Sequence, residues 1–230
     1  MNETLFQAAT LIIPLVLAIV FHEVAHGWAA RALGDPTAAE QNRLSLNPLR
    51  HVDPVGTVIV PGLLALAKGP IFGWAKPVPV DKYRLRNPRL GMMLVAAAGP
   101  GINLVMAAVS AVLLGLLLLV YADATEPSTA ARFLGANLMN FISINIFLAL
   151  FNLLPVPPFD GAHIVEGLLP RKLARAYGRL HKWGLLAMIA LIVVLPWLIP
   201  GFNPVGKLVV PPVEWLTKAF LGITTAVAGG

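Results

Sequence analysis

Long apolar runs separated by short clusters of charge dominate the chain. About 20 apolar residues cross a bilayer as one helix. Four runs suit such a crossing: Leu5 to Ala30, Leu90 to Tyr121, Phe133 to Leu154 and Trp183 to Ile199. A fifth stretch, Val55 to Trp74, is interrupted by Pro61, Gly62, Gly69 and Pro70. A sixth, Val205 to Val227, holds Pro211, Pro212, Glu214 and Lys218. Either of these two could span, lie at the interface or re-enter. The pattern therefore predicts an all-α polytopic membrane protein: four transmembrane helices plus a re-entrant or hairpin segment and a C-terminal apolar segment, four to six spans in all. Backbone at membrane depth must find partners. Val58-Ile59-Val60 and the proline-spaced Lys76 to Val80 accordingly predict a short hairpin or an extended strand packed on protein.

Composition agrees with the pattern. Of 230 residues, 57% are hydrophobic and 12% charged, against about 25% charged in soluble domains, and the mean hydropathy is +0.77. Spanning segments use most of the length, which predicts a single membrane-embedded domain over residues 1–230, with its core in 5–185 and no separate soluble module. Cysteine is absent, so thiolate metal ligands and disulfides are excluded. Met1-Asn2-Glu3-Thr4 lacks the basic start of a cleavable signal peptide. The net charge of +6 points to basic loops facing the cytoplasm rather than to nucleic acid.

Charge placement orients the helices. Between the first two runs lie Arg31, Arg43, Arg50, Lys68, Lys76, Lys82, Arg84, Arg86 and Arg89, against Asp35, Glu40, Asp53 and Asp81. The Tyr121 to Arg132 loop holds Asp123 and Glu126, and the loop after Leu154 is basic again, with Arg171, Lys172, Arg175, Arg179 and Lys182. If Val55 to Trp74 dips in and returns, the loops alternate basic, acidic, basic, as the excess of Lys and Arg on cytoplasmic loops requires. The protein is then expected in the cell membrane with the end of the first helix toward the cytoplasm.

That end carries the chemistry. His22, Glu23 and His26 form an HExxH pattern inside an apolar helix. Residues four apart share a helix face, so both imidazoles can reach one metal while Glu23 acts as general base on its water. Ionisable groups at such a depth are functional by default. A catalytic zinc site takes a third protein ligand. The candidates are His51, Asp53, Asp123, Glu126, Asp160, His163, Glu166 and His181; the topology sets Asp123 and Glu126 at the opposite membrane face. Asp160 closes the third run on the same face as His22 and His26, after Pro155, Pro157 and Pro158, with Gly161 allowing a turn beside the carboxylate. His163 is the rival ligand, while His51 and His181 read as loop residues. Asn103 reads as a helix-joining polar group, and Ala96 to Gly99 as a close-packing stripe.

The sequence resembles the site-2 protease family, the intramembrane zinc metalloproteases. The resemblance rests on His22-Glu23-x-x-His26 followed by Gly27, and on the NxxPxPxxDG pattern of Asn152, Pro155, Pro157, Asp160 and Gly161. It is strengthened by Asn47-Pro48-Leu49, Asp53-Pro54-Val55-Gly56, Gly73 to Val80, and Gly99-Pro100 with Asn103. It implies one Zn2+ per chain held by His22, His26 and Asp160, Glu23 as the catalytic base, and Asn152 as a substrate-binding residue. It further implies a transmembrane protein as substrate. An extended strand near Lys76 to Val80 would then serve to bind that substrate by β-addition. A metal transporter or non-catalytic scaffold is the competing class; it would need ionisable groups strung through several helices.

Overall fold

The computed structural model describes residues 2–66, 73–122, 127–199 and 201–230. Among these the chain is helical throughout, with no strand. Four helices are long and apolar enough to cross a membrane: α1 (Glu3–Ala32), α2 (Pro88–Val120), α3 (Thr129–Asn152) and α5 (Arg171–Leu198). Between the last two lies the short α4 (Asp160–Leu168), and the chain closes with α6 (Val210–Val227).

Helix starts follow local chemistry. Asn2, Asn87 and Ser128 each accept a backbone N–H of the first turn of α1, α2 and α3, and Pro88 occupies the first turn of α2, where its missing N–H is not needed. The bundle centre is made of small and branched residues. Ala107, Ala111 and Leu114 of α2 meet Ile142 and Ile146 of α3, with Val213, Leu216 and Phe220 of α6 packed behind. The alanines let the α2 and α3 backbones approach closely, as membrane helices require. Gly115 does the same for α6, because a Cβ there would press on Thr224 O and Val227. Large apolar side chains such as Leu11, Ile12, Val105, Val109 and Leu113 are exposed, as expected of surfaces facing lipid.

The segment between α1 and α2 departs from the hairpin expectation. Residues Pro54–Ile59 form a widened helical turn and Val60–Leu66 a short α-helix; residues 67–72 of the anticipated re-entrant stretch lie outside the described residues. Residues 73–80 then run as a strap across the end of α1, without ladder pairing. It is held by isolated bonds: Trp74 N to Gly56 O, Lys76 N to His51 O, and Arg43 Nη2 to Lys76 O. Prolines at 77 and 79 supply no N–H, which is why no ladder forms here. The acidic residues Asp123 and Glu126 also lie outside the described residues.

The two basic segments meet at one end of the bundle. Arg86 N donates to Leu33 O, and Arg89 donates to Leu169 O, joining the end of α1 and the start of α2 to the end of α4.

Candidate active site

His22 and His26 project from one face of α1, their rings 4.7 Å apart and nearly perpendicular. Asp160 reaches them from the first turn of α4. The α3 helix stops at Asn152, and Pro155, Pro157 and Pro158 carry the chain through a turn that aims Asp160 back at the bundle. Gly161 is required here for proximity rather than for a left-handed conformation: a Cβ would collide with the carbonyl oxygens of Leu153 and Leu154.

The three ligand atoms converge. His22 Nε2 and His26 Nε2 stand 3.1 Å apart, and Asp160 Oδ2 lies 3.2 Å from the first and 3.4 Å from the second. Ligands about 2.0–2.1 Å from a tetrahedral centre stand roughly 3.3 Å from one another. The Asp160 Oδ2 atom is buried and accepts no hydrogen bond, so its proximity to both rings is not hydrogen-bonding geometry. Two imidazoles and one carboxylate are a donor set that zinc uses in hydrolytic sites, and these residues fit that ion.

The outer nitrogens of both rings are tied down. His26 Nδ1 lies 2.7 Å from Val95 O, an acceptor only, so Nδ1 carries the proton and Nε2 presents its lone pair. For His22 the same result is reached through a chain of amides. Phe141 O accepts from Asn145 Nδ2 at 2.8 Å; Asn145 Oδ1 therefore faces Asn103, accepting from its Nδ2 at 3.0 Å. Asn103 Oδ1 is then left to accept the His22 Nδ1 proton at 2.8 Å. Both asparagines are fully buried. Outer-shell partners of this kind fix the tautomer and orientation of metal-binding histidines. Gly99 completes the packing, since a Cβ there would press on both imidazole rings.

Glu23 points to the strap. Its Oε2 accepts the Val78 N–H at 2.8 Å. Val78 thereby spends the one backbone donor between Pro77 and Pro79, and Arg43 occupies the carbonyls of Lys76 and Pro77. The strap at 77–79 thus offers no free N–H for β-addition, against the expectation from sequence.

His22, Glu23, His26, Asn152 and Asp160 all line one cavity of about 640 Å3, closed by apolar residues such as Ile19, Phe151 and Met188. Asn152 also donates from Nδ2 to Leu148 O at 2.9 Å, tying down the last turn of α3. His163 lines the same cavity but stands outside the converging trio. His51 is buried and bonds Ser45 O, a structural role, and His181 sits beside Glu166. Asn103, expected from sequence to be a helix-joining polar group, bonds both His22 of α1 and Asn145 of α3; its place behind His22, and Asn145 altogether, were not read from the sequence. The spacing of Asn103 after Gly99-Pro100 was the one available signal; Asn145 had none.

Comparison with known proteins agrees with this geometry. Residues 10–195 match peptidase family M50. The chain is 39% identical over 187 residues to "Putative zinc metalloprotease YwhC" of Bacillus subtilis, covering 80% of each chain. It is 28% identical over 179 residues to "Putative zinc metalloprotease Rip2" of Mycolicibacterium smegmatis, covering 77% of this chain and 64% of that one. No solved structure matches the chain. A polytopic membrane protein with an HExxH helix, a distant aspartate and this family match has a definite place: the chain belongs to peptidase family M50, the site-2 protease family of zinc metalloproteases.

Proposed function

We propose that the chain is an intramembrane metalloendopeptidase that cuts peptide bonds within or near transmembrane segments of membrane-anchored proteins. In this reading, His22, His26 and Asp160 hold one zinc ion, Glu23 is the general base and Asn152 positions the substrate backbone. The observation that carries it is the convergence of three ligand atoms, with Glu23 beside them, in a cavity walled by spanning helices. When bound, zinc supplies Lewis acidity toward a carbonyl and a water molecule.

The protein groups do the rest. Glu23 accepts the proton of the attacking water and passes it to the departing amine nitrogen. The Val78 N–H fixes one carboxylate oxygen of Glu23, leaving the other to carry the proton. Asn152 sits where α3 ends, so its amide can meet the backbone of an unwound substrate. The apolar walls suit a substrate delivered from lipid, and they limit water to what the reaction uses. The meeting of both basic segments at this end of the bundle supports a cytoplasm-facing site in the cell membrane.

A cleavage assay on a membrane-spanning reporter tests the reading. Glu23→Gln is expected to lower the rate by about 10²–10⁴-fold, the usual range for a positioned general base, while zinc content stays at wild-type level. His22→Ala should lose both. Cleavage left intact in zinc-loaded Glu23→Gln would overturn the mechanism.

A further inference from the structure

A second cluster with metal-ligand character lies one helical turn beyond Asp160. His163 and Glu166 stand on one face of α4, and His181 comes to them from the 3-10 turn Arg179–Trp183 within α5. Their ligand atoms lie within 4.8 Å of one another. His181 Nε2 is 3.1 Å from Glu166 Oε2, and His163 Nδ1 is 3.9 Å from the same oxygen. The two rings are 4.4 Å apart and stacked, unlike the perpendicular pair of His22 and His26.

The geometry is not that of a simple ion pair. His181 Nε2 is buried and makes no hydrogen bond despite the carboxylate oxygen 3.1 Å away. Asp160 Oδ2 in the first cluster is likewise a buried polar atom close to a possible partner but not hydrogen-bonded to it. From these observations we infer that His163, Glu166 and His181 form a second divalent transition-metal site. Two imidazoles and one carboxylate favour zinc-like ions over magnesium or calcium, which take oxygen ligands. All three side chains are partly exposed, so water completes the coordination and the ion exchanges with solution. Arg171 and Arg175 stand beside His163 and Glu166 along an adjoining cavity; their charge weakens cation binding here relative to the first site.

The site would join two elements. A cation held here ties α4, which carries Asp160, to α5, whose next turns supply Leu185 and Met188 to the cavity wall. It does not depend on the protease reading, since its ligands are separate from the first trio.

Metal-stripped full-length protein in detergent, titrated with Zn2+ or with Co2+ read by absorption, tests the inference. Wild type should bind two equivalents, one tight and one weaker, with excess Mg2+ displacing neither. His181→Ala and the near-isosteric Glu166→Gln should each bind one equivalent, the tight one. His22→Ala should retain the weaker equivalent. One equivalent in wild type, or two in folded Glu166→Gln, would overturn the second site. Loss of the tight equivalent in His22→Ala with cleavage intact would instead count against the protease reading.

Discussion

At the residue scale, the candidate ligands and candidate base were legible because each announces itself by type. Two histidines four apart on an apolar helix have few alternatives, and an aspartate fixed among three prolines has little freedom. What could not be read were the partners that orient them. Asn103 bonds His22 across 81 positions and Asn145 bonds Asn103 across 42; no local pattern encodes such a pairing. The same holds for His181, a loop histidine by sequence that meets Glu166 only because α5 begins beside α4. Asn103 carries a measurable consequence. Asn103→Leu removes the acceptor that holds the His22 tautomer and should weaken zinc binding by about 10–100-fold, as losses of outer-shell partners do. Asn103→Asp, which keeps an acceptor, should retain more of it; competition titration with a chelating dye reads both.

At the element scale, helices α1 to α3 follow the apolar runs to within a few residues, because length and hydropathy dictate a crossing. The connection between α1 and α2 was harder, since prolines and side chains rather than periodicity shape it. Its anchor is Asp35, fully buried just beyond α1. Asp35 accepts the backbone N–H of Thr37 at 3.0 Å and of Asp81 at 2.7 Å, and so sets where the strap leaves Glu23. Burial would raise its carboxyl, but the bonds from Thr37 and Asp81, with Arg84 nearby, hold it below the ordinary carboxylate range. A depressed folded value contributes stability above the unfolded pKa of about 3.9 and loses it as pH falls through the folded value. Asp35→Ala should destabilise the protein by about 1–3 kcal/mol through unsatisfied N–H groups. Asp35→Asn should lose that part of the acid sensitivity. Thermal melts from about pH 6 down to about pH 2, a window that brackets the carboxylate reference value and the range below it, read both effects.

At the scale of the whole molecule, charge predicts the topology because basic loops choose a side. The structure adds that those loops touch one another. The absence of cysteine makes a direct test convenient. Single cysteines at Arg50 and Arg179 should resist a membrane-impermeant maleimide in intact cells, and one at Pro127 should react. The reverse pattern would turn the active site outward.

The amide chain from Phe141 O through Asn145 and Asn103 to His22 also bears on the order of assembly. Each bond in it joins protein to protein, across α1, α2 and α3, so the imidazole is aimed as soon as those helices pack. Many small metal proteins fold only around their ion; this arrangement predicts instead that folding precedes loading. Chelation should therefore abolish cleavage while leaving the helical circular dichroism unchanged, and added Zn2+ should restore activity without any refolding step.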